Sequence, residues 1–234
     1  MSEPKRLLLA RGNTKLGENI YSFSLPAIDT CPGRSKLCEK ACYATRGHIR
    51  LVAATGSYER KLERTKQKSF VRDMTDEIRL RGVRVVRIHV SGDFYSAAYI
   101  EKWIQIAEAS RSVKFFVYTR SWRLPKLRKA LDRLSKLSNF RLWYSCDKET
   151  GLPSKLTKRT RIAYMAVDDN DTPEAPPDLV FRVKRMTVKK RSSGALVCPT
   201  ENGTKAEVTC QKCGLCWDSI KTKDPRRYAL PLAG

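Results

Sequence analysis

The sequence predicts an α/β protein, a partial or compact (β/α) barrel carrying a cysteine-rich C-terminal extension. Three observations predict it. Short β-branched and aromatic runs alternate with amphipathic helical patterns between residues 20 and 146, as in a βαβ series with a parallel sheet. Cys31, Cys38 and Cys42 follow the first of those runs. Cys198, Cys210, Cys213 and Cys216 gather near the other end. The expected division is an α/β domain over 1–190 with an N-terminal cysteine loop, and a metal-binding extension over 191–234.

The elements follow in order. Residues 1–19 are basic and polar, with GNTKLGEN as turn material. Ile20–Ala27 reads as a first strand ended by Pro26, with Tyr21, Phe23 and Leu25 on one face. From Ser57 to Arg81 the positions Tyr58, Leu62, Phe70, Met74 and Ile78 keep a four-residue step interrupted by Lys66. This predicts one long amphipathic helix with a basic outer face. Val83–Val90 is a second strand, stopped at Ser91-Gly92-Asp93. A helix over 96–110, a third strand at Val113–Thr119, a helix over 123–138 and a fourth strand at Phe140–Cys146 complete the series. Beyond Cys146 the helices thin out. Arg161–Val167 and Leu179–Val183 read as strands around an acidic, proline-rich loop, and Ala195–Cys198 as a last short strand.

The chain has 234 residues, 41% hydrophobic and 30% charged, enough for a substantial core. Lys and Arg total 47 against 24 Asp and Glu, a net charge of +23 spread along the chain. Such a field favours polyanions, and nucleic acid, DNA or RNA, is the expected partner. No stretch approaches the ~18 apolar residues of a membrane span. Without a signal peptide the chain reads as cytoplasmic, where eight cysteines bind metal rather than pair as disulfides. No Ser/His/Asp arrangement, P-loop or dinucleotide fingerprint is present.

The two cysteine groups carry the chemistry. Cys31, Cys38 and Cys42 are spaced C-x6-C-x3-C, with Gly33 expected to let the loop turn sharply. Three thiolates leave a metal centre one ligand short, as a reactive site requires. In a parallel sheet ligands gather at the C-terminal strand ends. The rim candidates are therefore Ser91, Gly92 and Asp93 after strand two, Thr119 and Arg120 after strand three, and Ser145 and Asp147 after strand four. Gly92 would admit close backbone approach, and Asp93 could accept from a cationic amino group. Cys210, Cys213 and Cys216 form C-x2-C-x2-C, an iron–sulfur spacing that Cys198 can complete. Zinc is the alternative there, and a structural staple the plain reading.

The triplet after the first strand and the small-small-acid turn after the second resemble radical S-adenosylmethionine (radical SAM) enzymes. In that superfamily three cysteines hold a 4Fe–4S cluster whose open iron binds the cofactor's methionine part. A Gly-Gly-Glu turn holds its amino group; Ser91-Gly92-Asp93 stands at that turn here. The superfamily's usual spacing is C-x3-C-x2-C. A closer resemblance is to the phage gene product eighty-eight family. It is carried by Gly12-Asn13-Thr14-Lys15-Leu16-Gly17, Leu25-Pro26-Ala27, the run CPGRSKLCEKACYA and the C-terminal cysteines. It implies a phage, plasmid or other mobile-element origin.

Other residues have plain and sharp readings. His89, within a strand, reads first as a hydrogen-bonded core residue, and the second reading is that it or His48, which follows the cysteine loop, ligates metal. Trp122, between Arg120 and Arg123, packs or stacks on a base. Cys146 is a small buried thiol or a missing fourth ligand. The basic helix face, RTRIAY and FRVKRMTVKKR are the expected nucleic-acid contacts. The expected function is an iron–sulfur, radical-SAM-like protein with one or two 4Fe–4S clusters, with S-adenosylmethionine as its expected small cofactor, acting on or binding nucleic acid. The alternative is a non-catalytic DNA- or RNA-binding protein with structural or redox-sensing clusters, or zinc.

Overall fold

A computed structural model describes residues 7–45, 52–168, 170–183, 196–201 and 208–218. Six strands form one sheet: β1 (Ile20–Phe23), β2 (Val85–Ile88), β3 (Lys114–Thr119), β4 (Phe140–Cys146), β5 (Thr160–Ala166) and β6 (Leu179–Arg182). They stand in sequence order and every neighbouring pair is parallel. Winding always in one direction is the habit of a (β/α) barrel. Here β1 and β6 do not pair with each other, so the curled sheet is a half-barrel; among the described residues only single bridges, Ala10 to Ser22 and Val180 to Val197, lie along its two edges.

Strand register divides the sheet into two faces, because successive side chains point oppositely. Phe23, Ile88, Phe115, Val117, Leu142 and Tyr144 face the helices and form the main core. Against them pack α3 (Phe70–Leu80), α4 (Ala97–Ala109) and α5 (Pro125–Ser135), through Met74, Trp103 and Leu131 among others. Ser96 caps α4 by accepting from the Tyr99 amide at 3.2 Å, and Pro125 opens α5. The other, inner face carries Ile20, Val85, Phe116, Trp143, Ala163 and Leu179, and is covered by the cysteine-bearing C-terminal residues.

Several expectations change. The first strand is four residues long, because beyond Phe23 the chain turns to bond the loop after β2, Leu25 N–H donating to Ser91 C=O at 2.9 Å. The single helix expected over 57–81 is two, α2 (Val52–Lys66) and α3. A straight helix would carry Lys66 onto the apolar stripe; the bend leaves that side chain 55% exposed. Buried Asp73 holds the bend, accepting from Arg64 Nη2 at 2.6 Å and Ser69 Oγ at 2.9 Å. The strand expected at Ala195–Cys198 is a single bridge between Val180 and Val197, and Ala195 lies outside the described residues. After β4 the crossovers contain no helix among the described residues. Carboxylates bond their backbone instead: Asp147 Oδ1 takes the amides of Glu149 and Thr150, and Asp171 takes the Tyr164 hydroxyl and the Val167 amide. No helix among the described residues is long and apolar enough to cross a membrane.

Candidate metal centres

The loop leaving β1 carries the first cysteine group across the C-terminal rim of the sheet. Short helix α1 (Lys36–Ala41) sits within it, capped by Ser35 Oγ, which accepts from the Cys38 amide at 2.9 Å. The same hydroxyl donates to Asp147 Oδ2 at 2.5 Å, tying the loop to the end of β4. The Leu37 amide reaches Glu149 Oε2 at 3.1 Å, and Arg123 Nη1 donates to the Gly33 and Arg34 carbonyls. Tyr43 donates its hydroxyl to the Val90 carbonyl after β2. Just before the first cysteine, Ile28 holds φ 70°, an outlier for a β-branched residue, while its carbonyl accepts from the Cys31 amide at 3.0 Å.

Gly33 plays a different part from the one expected. Its φ is not positive. A Cβ there would fall 2.2 Å from the Arg120 carbonyl oxygen, so glycine lets the loop lie directly on the end of β3.

The three thiols of this loop interact. Burial pushes the Cys31 thiol up to about 12, helped by Asp93 and by Cys38 and Cys42, and opposed by its bond to the Ile28 backbone. Burial also raises Cys38, while the nearby Arg120 guanidinium, hydrogen-bonded to it, pulls the other way. A coordinating metal removes these protons outright. Among the described residues no three Cys, His, Asp or Glu side chains close on one point as a single ion requires. A 4Fe–4S cluster suits a wider triangle, since its own iron and sulfide atoms stand between the thiolates.

The rim candidates surround this loop, each with defined bonds. Ser91 Oγ donates to the Leu25 carbonyl at 2.9 Å. Gly92 holds φ 83°, and a Cβ there would meet Thr30 Oγ1 at 2.6 Å and Leu25 Cβ at 2.7 Å; its room is filled by the β1 loop. Asp93 is buried and accepts from the Phe94 amide at 2.7 Å, Thr119 Oγ1 at 2.5 Å and the Arg120 amide at 2.8 Å. Both its oxygens clasp the ends of β2 and β3. Arg120 pairs with Asp147, Nη1 to Oδ2 at 2.7 Å, with side chains 6% and 0% exposed. Ser145 is half-buried and points to the inner face; its carbonyl, not its hydroxyl, holds Trp122 Nε1 at 3.0 Å.

The second group lies on the inner face. Cys198, Cys210, Cys213 and Cys216 line one small cavity together with Leu179, Pro199, Thr200 and Leu215. Each is brought there by a different contact. The Cys198 amide bonds the Val180 carbonyl at 2.9 Å. Helix α6 (Cys210–Cys213) is capped by Thr209 and ended by Gly214 at φ 73°. Trp143 Nε1 donates to the Cys216 carbonyl at 3.0 Å. Burial raises the Cys216 thiol, opposed by its bond to the Tyr118 hydroxyl, while Cys198, Cys210 and Cys213 add to the rise. Four soft donors line one cavity; they do not converge on a single ion's position, and the donor set suits a cluster, whose own iron and sulfide atoms stand between the thiolates.

The turn Gly12–Gly17 docks this group, a role the sequence did not announce. Asn13 Oδ1 accepts from the Lys15 and Leu16 amides at 3.0 and 2.8 Å. The carbonyls of those two residues then receive the Cys210 and Gln211 amides at 2.9 and 3.0 Å. Asn13 as an Asx-turn former was the available signal.

The remaining candidates take their plain readings. His89 is buried just after β2, where Nε2 lies 2.9 Å from Tyr99 Oη, and burial pulls it down to about 3. Cys146 is fully buried on the helix side of β4, its thiol pushed up to about 12 by burial. Trp122 stacks on Tyr144 with ring centres 5.7 Å apart. His48 lies outside the described residues, as does FRVKRMTVKKR beyond Val183.

Comparison with known proteins completes the picture. A family model described as Gene product 88 matches residues 7–219. The Gene 88 protein of Mycobacterium phage D29 is 25% identical over 90% of this chain and 88% of its own length. The Gene 88 protein of Mycobacterium phage L5 is 26% identical over 88% of this chain and 85% of its own. No solved structure matches. Both relatives are phage proteins, which supports the phage origin that the resemblance implied. The matched span takes in both cysteine groups and leaves out only the chain's two ends; the chain belongs to the Gene product 88 family.

Proposed function

We propose that this chain is an iron–sulfur protein with two centres. Cys31, Cys38 and Cys42 hold a radical-SAM-like 4Fe–4S cluster with one open position. Cys198, Cys210, Cys213 and Cys216 hold a second, closed cluster. The observation that carries the reading is the seat of the first triplet. It lies at the C-terminal mouth of a parallel half-barrel, ringed by the turns after β2, β3 and β4. Ligand chemistry in parallel α/β folds belongs at that end.

When bound, such a cluster supplies one electron through its open iron to a sulfonium ligand. The protein's own residues do the rest. Ser35, Asp147 and Arg123 hold the loop on the rim. Arg120 donates toward the Cys38 sulfur and would lower the charge on that ligand. Asp93 fixes the adjoining turns. The net charge of +23 supports nucleic acid as substrate or partner.

The test is protein purified without oxygen and analysed for iron, sulfide and zinc. Two clusters, with a resonance of the reduced protein that changes on adding S-adenosylmethionine, are expected. Replacing Cys31, Cys38 and Cys42 by alanine should abolish that change and leave the other centre. A colourless zinc protein would sink the catalytic reading.

A second reading is a non-catalytic nucleic-acid-binding protein whose centres are staples or redox sensors. It is favoured by Asp93, whose oxygens are already taken up by Thr119, Arg120 and Phe94, and by the closed Arg120–Asp147 pair. Clusters indifferent to S-adenosylmethionine, with nucleic-acid binding intact, would select it.

A further inference from the structure

A cation stands beside the second cysteine group. Arg87 projects from β2 onto the inner face, where the register sets Phe116 next to it. Its guanidinium lies 5.7 Å from the centre of the Tyr118 ring. The Tyr118 hydroxyl donates to the Cys216 sulfur. Val85, Phe116, Tyr118, Cys210 and Cys216 form one packed cluster around this spot. Tyr43, next to Cys42, also acts electrostatically on Arg87.

Among the described residues no carboxylate pairs with Arg87. Its Nε is buried with no hydrogen-bond partner, and among the described residues it forms no ion pair. The groups acting most strongly on it are Tyr43, Tyr118, Cys210 and Cys216, none a carboxylate. The residue as a whole is half-buried, so water reaches part of the guanidinium, but its Nε side is cut off from solvent and an anion placed there would be stabilised. With the four cysteines as neutral thiols, no anion among the described residues pairs with it. Metal coordination strips those thiols of their protons and leaves a thiolate centre of net negative charge, whether it contains iron or zinc.

We propose that Arg87 is the counter-cation of the metal–thiolate centre held by Cys198, Cys210, Cys213 and Cys216, and that through Tyr118 and Cys216 it sets that centre's affinity and reduction potential. This rests on the reading above that those four cysteines hold a centre. An adjacent cation favours the more negative, reduced cluster, so its removal drives the potential down. Tyr118 would relay the effect, its ring facing the guanidinium and its hydroxyl the sulfur.

The experiment uses the full chain with Cys31, Cys38 and Cys42 replaced by alanine, so that only the second centre reports. In this background Arg87→Gln and Arg87→Lys are compared with the parent by metal content, chelator competition and, if iron is present, redox titration. Arg87→Gln is expected to lose metal affinity roughly tenfold. Its redox equilibrium should shift by about tenfold, or about 59 mV toward more negative potential for one electron. Arg87→Lys, which keeps the charge, should remain within about threefold of the parent on both readings. An Arg87→Gln protein indistinguishable from the parent overturns the proposal. So does an Arg87→Lys protein as impaired as Arg87→Gln, since charge would then not be what matters. If the parent binds no metal, or keeps it when Cys198, Cys210, Cys213 and Cys216 are replaced, the functional reading fails and takes this proposal with it.

Discussion

Ser35 and Arg120 share one oxygen of Asp147: Ser35 Oγ lies 2.5 Å and Arg120 Nη1 2.7 Å from Oδ2. The cysteine loop, the end of β3 and the end of β4 therefore meet at a single buried carboxylate. Asp147→Asn should leave Arg120 as an uncompensated buried charge and cost about 3–5 kcal/mol, read by denaturant unfolding. The double replacement Arg120→Met with Asp147→Leu should recover much of that loss, because it removes both charges together. The same single variant should weaken metal retention by the first cysteine group and spare the second.

Gly33 tests how tightly the loop must lie. Gly33→Ala places a Cβ 2.2 Å from the Arg120 carbonyl oxygen, a backbone atom that cannot swing aside. The loop should lift from the rim at a cost of about 1–3 kcal/mol. Metal analysis should show loss from Cys31, Cys38 and Cys42 alone. Unchanged content at both groups would mean that the loop's seat on β3 does not matter to the site.

His89 should leave a mark on stability in acid. Burial holds it down at about 3, against 6.5 for an ordinary imidazole, so the folded protein keeps it neutral. Below about pH 6.5 the unfolded chain takes up the proton and the folded chain does not. Its contribution is therefore fully present above that pH and is lost as pH falls toward 3, by at most about 1.4 kcal/mol per pH unit. Because the residue holds φ 61°, His89→Asn is the suitable variant, asparagine tolerating that backbone. Its stability should fall less steeply than the parent's between pH 6.5 and 4 in paired unfolding curves.

The excess of cations predicts how nucleic-acid binding responds to salt. Affinity for a single-stranded or duplex oligonucleotide should drop by orders of magnitude between about 50 and 200 mM salt, as counterion release demands. A flat dependence measured by fluorescence anisotropy would remove nucleic acid as the partner.

The α/β class, the order of strands and the two cysteine groups were all readable along the chain. Periodicity and ligand spacing are local properties, and β4 at Phe140–Cys146 matches its expected span. The long helix failed at Lys66 because its bend depends on Asp73, Arg64 and Ser69 meeting in space. Rim membership was equally legible, since a parallel sheet sends every strand's C-terminal end to one side. What each rim residue does there was not. Asp93 is an acid after a strand in the sequence; its three donors come from neighbouring and distant positions that only the assembled sheet brings together.

Spacing thus determined which cysteines form each group, while folding decided what surrounds them. Gly33 is a glycine in a loop until β3 passes beneath it. Arg87 is one of 47 cations until the C-terminal cysteines cover the inner face of the sheet. Both depend on contacts between residues far apart in the chain, and burial, close approach and the need for a counter-charge exist only once those contacts form.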